Sequence, residues 1–126
     1  MSKKVLVIED NEQNLYLITF ILEKHGFQVI QAHDGQTGIE LTRKERPALI
    51  LLDIQLPVMD GYMVAKELKK DAANLNIPVI AVTSYAMTGD REKALAAGCS
   101  GYITKPINPD TIISYLEEFL PQNKAG

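Results

Sequence analysis

The chain has 126 residues, 46% of them hydrophobic and 23% charged, which is typical of one globular domain rather than of a disordered or fibrous protein. Its formal net charge of -3 leaves no excess of Lys and Arg to neutralise several phosphates, which disfavours direct nucleic-acid binding. The single cysteine excludes an internal disulfide, and no apolar stretch is long enough for a signal peptide or a membrane span, so we expect a cytoplasmic protein without a membrane partner.

Five short apolar runs alternate with five longer segments of helical character. The apolar runs lie at residues 5–8, 27–30, 49–53, 77–82 and 102–103. This alternation predicts stacked βαβ units, that is, an α/β doubly wound (βα)5 three-layer sandwich with a five-stranded parallel sheet. We expect residues 1–121 to form this domain and residues 122–126 to be a short flexible C-terminal tail.

Helix signals follow each of the first three strands. An apolar stripe predicts a first helix that ends near residues 24–26. Asp34 can cap a second helix that ends before Pro47, although Asp34-Gly35 can also be read as a hairpin turn. Asp60 begins a third helix. The apolar residues of the three helices are Leu15, Ile18, Leu22, Ile39, Leu41, Val64, Ala65 and Leu68.

The last two helices differ in their signals. Residues 86–97 predict a weak helix with Gly89 inside it, and few apolar anchors imply low local stability. Its only anchors are Met87, Ala94 and Leu95. Asn108 as cap and Pro109 at the first helical position open a final helix with a clear apolar face.

Four of the five predicted strands end in residues that do not belong in an apolar sheet. These residues are Glu9, Asp10, Asp53, Thr83, Ser84 and Lys105. Because the carboxyl ends of parallel strands share one edge, we expect them to be neighbours. Crowded carboxylates repel one another unless a cation lies among them, and all-oxygen ligation suits Mg²⁺. An aspartate nucleophile surrounded by a divalent metal, an ammonium and a hydroxyl could receive a phosphoryl group.

These residues resemble a known family, the response-regulator receiver domains of two-component signalling, over residues 4–120. The matching motifs are Glu9-Asp10, Asp53, Pro57, Met59-Asp60-Gly61, Thr83 and Lys105-Pro106. The opening at residues 9–14 is similar to that of stand-alone, single-domain receivers. The resemblance implies a CheY-like, flavodoxin-like sheet of strand order 2-1-3-4-5. It also implies a phosphorelay protein that is not a turnover enzyme. We expect a monomer, as the default, without an appended output domain.

The resemblance assigns the phosphoryl acceptor and the metal ligands. Asp53 would accept a phosphoryl group from a phosphohistidine of a histidine kinase or a histidine phosphotransfer protein. Asp10, Asp53 and the backbone carbonyl of Gln55 would hold Mg²⁺ or Mn²⁺, and Glu9 would reach the metal through water. We therefore expect a metal-dependent aspartyl phosphate.

The resemblance also assigns phosphate-binding and switch residues. Lys105, the Thr83 hydroxyl and backbone donors near Ser84 would bind the phosphate, and the Lys105-Pro106 peptide bond would be cis. When phosphate draws Thr83 inward, Tyr102 would turn into the vacated space. The surface of the fourth helix, fifth strand and fifth helix would then change its affinity for a downstream protein.

Two side chains bear on the lifetime of the phosphoryl state. Gln55 and Tyr85 would flank the path of the water that attacks the phosphorus, according to the resemblance. Since Tyr85 is bulky and aromatic, we expect slow hydrolysis, and we expect Tyr85→Ala to hasten the loss of label.

The first helix carries a second apolar patch that is wider than one core stripe demands. It consists of Tyr16, Leu17, Phe20 and Ile21. Such a patch can mean that the rest of the domain covers a wide face of this helix. Alternatively, it can be a docking site for the histidine-bearing helices of a phosphoryl donor.

Two other classes of protein compete with this reading. A haloacid-dehalogenase-like phosphatase would need a second acidic residue two positions after Asp53, where this chain has Gln55. A flavodoxin-like flavin carrier would need a Ser/Thr/Gly-rich phosphate loop after the first strand, where Glu9-Asp10 would repel the anion.

Overall fold

Each apolar run forms one strand of a single parallel sheet in the computed structural model, which describes residues 3–84 and 89–120. The strands are β1 (Lys4–Ile8), β2 (Gln28–Ala32), β3 (Leu49–Asp53), β4 (Val79–Thr83) and β5 (Gly101–Thr104). The helices are α1 (Glu12–Lys24), α2 (Gly35–Glu45), α3 (Gly61–Lys70), α4 (Asp90–Ala96) and α5 (Pro109–Glu117), with a 3-10 turn at Ala72–Asn74. The sheet order is β2-β1-β3-β4-β5, which confirms the predicted topology. Within the described ranges, no helix has the length and apolar character needed to cross a bilayer.

The two faces of the sheet are covered by separate apolar cores. Consecutive residues of β1, such as Leu6 and Val7, belong to opposite cores. The core that contains Leu6 also includes residues of α3 and α4, and the core that contains Val7 includes residues of α1 and α5. Burial on both faces explains why residues 49–53 show no polar alternation. Because β3 and β4 are buried throughout, a side chain of these central strands can face solvent only beyond the strand end.

The predicted helix caps of α2, α3 and α5 are present. The Asp34 side chain accepts a hydrogen bond from the Thr37 N–H at 2.8 Å, so the helical reading of this segment is correct and the hairpin reading is wrong. Asp60 caps α3 and Asn108 caps α5 in the same way. In α2 the fully buried residues are Gly35, Gly38 and Thr42, whereas the expected anchors Ile39 and Leu41 are half-buried. A Cβ at Gly38 would collide with the Ile8 side chain. Because glycine has no Cβ, α2 can pack close to the sheet at this position.

The prediction for α4 needs two corrections. Gly89 lies before the helix as its N-cap, with φ +92°, because a left-handed residue cannot continue a right-handed helix. Leu95 is exposed rather than an anchor, since Ala94 and Ala97 take the buried positions beside it. The expected helical residues 86–88, including Met87, lie outside the described residues, as does the expected tail at 122–126.

Val58 occupies a strained position in the loop between β3 and α3. Its φ is +67°, and the Met59 N–H donates to the Pro57 carbonyl at 2.7 Å across it. A β-branched residue is unfavourable at positive φ. We expect Val58→Gly to raise the free energy of unfolding by about 1 kcal/mol, because relief of strain exceeds the added entropy of the unfolded chain.

Urea unfolding of Val58→Gly and Leu75→Gly measures this effect. Leu75 is also exposed but has φ −61°, so glycine there relieves no strain and should lower the free energy of unfolding. A loss of stability in both variants would contradict the assignment of strain to Val58.

Candidate functional site

Asp53 is the last residue of β3, in the middle of the sheet between β1 and β4. The residue is only 4% exposed. Its Oδ1 accepts a hydrogen bond from the Gln55 N–H at 2.9 Å. The buried strand thus fixes the carboxylate at the carboxyl edge of the sheet, where α/β proteins of this kind hold ligands.

Two further carboxylates lie beside Asp53. Glu9 and Asp10 follow β1, and one oxygen from each of the three residues lies within 4.8 Å of the others. Burial, together with its hydrogen bond with Asp53, raises the pKa of Glu9 to about 7. Three carboxylates at this separation form an oxygen donor set that fits a hard divalent cation. Sequence reasoning thus predicted correctly that these groups would be neighbours.

Lys105 supplies positive charge from the end of β5. Its Nζ lies 2.9 Å from Glu9 Oε1 and 3.5 Å from Asp53 Oδ2, and all three side chains are largely buried. The Lys105 N–H donates to the Thr83 carbonyl at 2.7 Å, and the Lys105-Pro106 peptide bond is cis. The resemblance assigned Lys105 only to phosphate binding. In the structure its shorter ion pair is with Glu9 rather than with Asp53. The ammonium therefore partly compensates two carboxylates at once.

Thr83 and Ser84 bring hydrogen-bonding groups from the end of β4. Thr83 is buried, and the Ser84 N–H donates to the side-chain Oε1 of Gln55 at 3.0 Å. The sequence offered no signal for this contact between Gln55 and Ser84. Tyr85, the other residue expected to control hydrolysis, lies outside the described residues.

Tyr102, the expected switch residue, lies on β5 and is half-buried. Its hydroxyl is buried and has no hydrogen-bond partner within residues 3–84 and 89–120, and burial raises the pKa of this phenol. The neighbouring Tyr62 hydroxyl donates to Asp90 Oδ1 at 3.4 Å and links α3 to the start of α4. Sequence reasoning missed Tyr62, because no motif distinguishes it from an ordinary helical residue.

The apolar patch on α1 is partly as expected. Tyr16, Leu17 and Phe20 are exposed. Ile21 is buried, so its inclusion among the surface residues is wrong; α1 packs against both the sheet and α5, which widens its buried arc. Leu17, Phe20 and Ile21 line a groove of about 480 Å³ that also includes residues of α5.

Comparisons with known proteins agree with this geometry. A family model described as "response regulator receiver domain" matches residues 5–117. The polar-differentiation response regulator DivK of Brucella anthropi is 43% identical over 120 residues, covering 95% of this chain and 98% of DivK.

Two solved structures are also similar. The receiver domain of the sensor histidine kinase PA1611 from Pseudomonas aeruginosa, with a magnesium ion in its active-site cleft, has a TM-score of 0.87 and 32% identity, covering 94% of this chain and 98% of that one. The receiver domain of Ssk1 from Saccharomyces cerevisiae was solved with the histidine phosphotransfer protein Ypd1. That crystal structure gives a TM-score of 0.85 and 29% identity, covering 94% of this chain and 88% of the matched one.

Proposed function

This chain belongs to the response regulator receiver domain family of two-component phosphorelay systems, and from that premise we propose that Asp53 is its phosphoryl acceptor. One observation carries the proposal: Glu9, Asp10 and Lys105 converge on the Asp53 carboxylate from the ends of two other strands. We assign the receiver unit to residues 1–121.

The proposed step is transfer from a phosphohistidine. An Asp53 carboxylate oxygen attacks the phosphorus, an O–P bond forms, and the P–N bond breaks with its electron pair returning to the imidazole. Lys105 Nζ lies close enough to Asp53 Oδ2 to stabilise the negative charge on the transferring group. The chain then holds one aspartyl phosphate and releases a protein histidine, so it is a phosphoacceptor rather than a turnover enzyme.

The acidic side chains around Asp53 suit Mg²⁺ or Mn²⁺. Asp10, Asp53 and the Gln55 carbonyl would hold the ion, with Glu9 acting through water. When bound, the ion neutralises negative charge on phosphoryl oxygens. A similar receiver has magnesium in its cleft, which supports this assignment.

Intact mass spectrometry after incubation with acetyl phosphate tests the proposed function. We expect one phosphoryl group per chain with Mg²⁺ and a much slower gain after treatment with a chelator. A chain that gains no phosphoryl group at saturating Mg²⁺ and acetyl phosphate would contradict the proposal.

We propose that phosphorylation changes the surface formed by α4, β5 and α5. The Tyr102 hydroxyl has no hydrogen-bond partner among the described residues, so no such bond there opposes a turn of the ring into space that Thr83 vacates. Displacement of Thr83 by phosphate would change the space available to the ring. The downstream partner is a protein that binds this surface of a monomeric, cytoplasmic receiver.

We propose that the exposed residues of α1 dock the histidine-bearing helices of the phosphoryl donor. The Ssk1 receiver, solved with a histidine phosphotransfer protein, provides a precedent for such a partner. Phe20 is 55% exposed and lines the groove between α1 and α5, which can accept an apolar helix face.

Phe20→Ala should slow phosphotransfer from a histidine phosphotransfer protein about tenfold, because it removes an apolar anchor from the interface. Labelling by acetyl phosphate should stay unchanged. The rate is measured with a phosphorylated donor at concentrations below saturation. Leu75→Ala is the matched control, since Leu75 is 60% exposed but follows the 3-10 turn near the amino-terminal edge of the sheet. Equal phosphotransfer by the two variants would contradict docking at Phe20.

A further inference from the structure

Gln55 connects the carboxyl ends of β3 and β4 through two hydrogen bonds. The Gln55 N–H donates to Asp53 Oδ1 at 2.9 Å, so its backbone holds the acceptor. Its side-chain Oε1 accepts the Ser84 N–H at 3.0 Å, although residues 55 and 84 follow different strands. Gln55 thus contacts both the Asp53 carboxylate and a backbone donor at the end of the neighbouring strand.

The β3–β4 ladder shows why the Ser84 N–H is available for this contact. The Ile54 N–H donates to the Val82 carbonyl at 2.9 Å, so the next parallel hydrogen bond would run from the Ser84 N–H to the Ile54 carbonyl. That carbonyl instead accepts the Gly61 N–H at 2.9 Å, at the start of α3. The Ser84 N–H is therefore free of the sheet, and its partner is an exposed side chain that can rotate away.

We propose that the Gln55 side chain is a latch that occupies the Ser84 N–H until an anion on Asp53 displaces it. This inference rests on the proposed function of Asp53. An oxygen of a group bonded to Asp53 would need backbone donors at this edge, and Ser84 directly follows β4, the strand that pairs with β3. Gln55 satisfies the donor in the unphosphorylated protein and competes with the phosphoryl oxygen for it.

The charges of the two acceptors determine the direction of the exchange. The Gln55 amide is neutral, whereas a phosphoryl oxygen is charged, and charge-assisted hydrogen bonds are stronger than neutral ones. The anion therefore displaces the amide, but breaking the existing hydrogen bond lowers the apparent affinity. Loss of the latch should strengthen anion binding by about three- to tenfold, the range expected for one net hydrogen bond.

Titration with beryllofluoride in the presence of Mg²⁺ tests the latch on the full chain. Gln55→Met removes the acceptor at similar length, and Gln55→Asn keeps an amide that is one methylene too short. Both substitutions preserve the backbone N–H and carbonyl. We expect both variants to bind beryllofluoride about three- to tenfold more tightly than the wild type. Gln36→Met, at an exposed glutamine of α2, is the matched control and should bind as the wild type does.

Hydrogen exchange of the Ser84 amide, measured by NMR without metal or anion, provides a readout independent of phosphorylation. Exchange should be faster in both Gln55 variants and unchanged in Gln36→Met. Wild-type affinity for beryllofluoride together with unchanged Ser84 exchange would overturn the latch alone. A wild-type chain that binds no beryllofluoride with Mg²⁺ would overturn the proposed function and the latch with it.

Discussion

Asp53→Asn is expected to reduce phosphoryl incorporation from acetyl phosphate to background. An asparagine amide oxygen is a poor nucleophile, and neither neighbouring carboxylate can replace Asp53. Glu9 is buried and paired with Lys105 at 2.9 Å, and Asp10 belongs to a different strand end. The measurement is intact mass over time at saturating Mg²⁺, followed by peptide mapping of the wild-type adduct.

The same substitution should also affect stability. Without a divalent cation, it removes one of three crowded carboxylates, so we expect the free energy of unfolding to rise by about 1 kcal/mol. Thermal unfolding in chelator measures this change and shows that loss of labelling does not result from loss of the fold.

Asp60→Asn is the matched control. Asp60 lies seven positions after Asp53, is exposed, and caps α3 by accepting a hydrogen bond from the Met63 N–H at 3.0 Å. Asparagine is an equally good cap, so stability and labelling should both remain close to wild type. Normal labelling of Asp53→Asn, or a wild-type adduct mapped to another residue, would contradict the assignment.

The sequence was informative wherever one physical rule determines the outcome. A strand buried on both faces must be apolar throughout, so the run that ends at Asp53 revealed both the strand and the exit point of the carboxylate. Parallel topology then brings Glu9 and Lys105 to the same edge. Local caps such as Asp34 and Asp60 predicted the starts of helices, because each depends on only three or four residues.

Features that depend on packing between distant segments could not be predicted. The short ion pair of Lys105 with Glu9 depends on how far the lysine reaches across the edge. The Gln55 contact with Ser84 depends on where the ladder between two strands is interrupted. Ile21 is buried because α1 contacts the sheet and α5 together, which a single helical stripe does not reveal. The position of Gly89 before α4, rather than inside it, follows from its positive φ, which the residue type alone does not reveal.

Gly61→Ala is expected to lower the free energy of unfolding by about 3 kcal/mol, at the upper end of the range for overpacking. A Cβ at Gly61 would lie 2.5 Å from Ile54 Cα and 2.6 Å from the Asp53 carbonyl oxygen. Both are backbone atoms at the end of β3, so neither can move without displacing the strand or α3. Because domains of this size have about 5–15 kcal/mol of stability, urea unfolding should detect the loss clearly.

Gly35→Ala distinguishes a backbone collision from a general effect of alanine. Gly35 is also the first residue of a helix and also follows an aspartate cap, so the helix propensity terms are matched. Its added Cβ would meet the side chains of Val64 and Met59, which can shift, and we expect a loss of only about 1 kcal/mol. Gly61→Ala should also slow labelling by acetyl phosphate at temperatures where it remains folded, since the displaced atoms include the Asp53 backbone. Equal stability losses in the two variants, with normal labelling, would show that close approach of α3 to β3 does not position the acceptor.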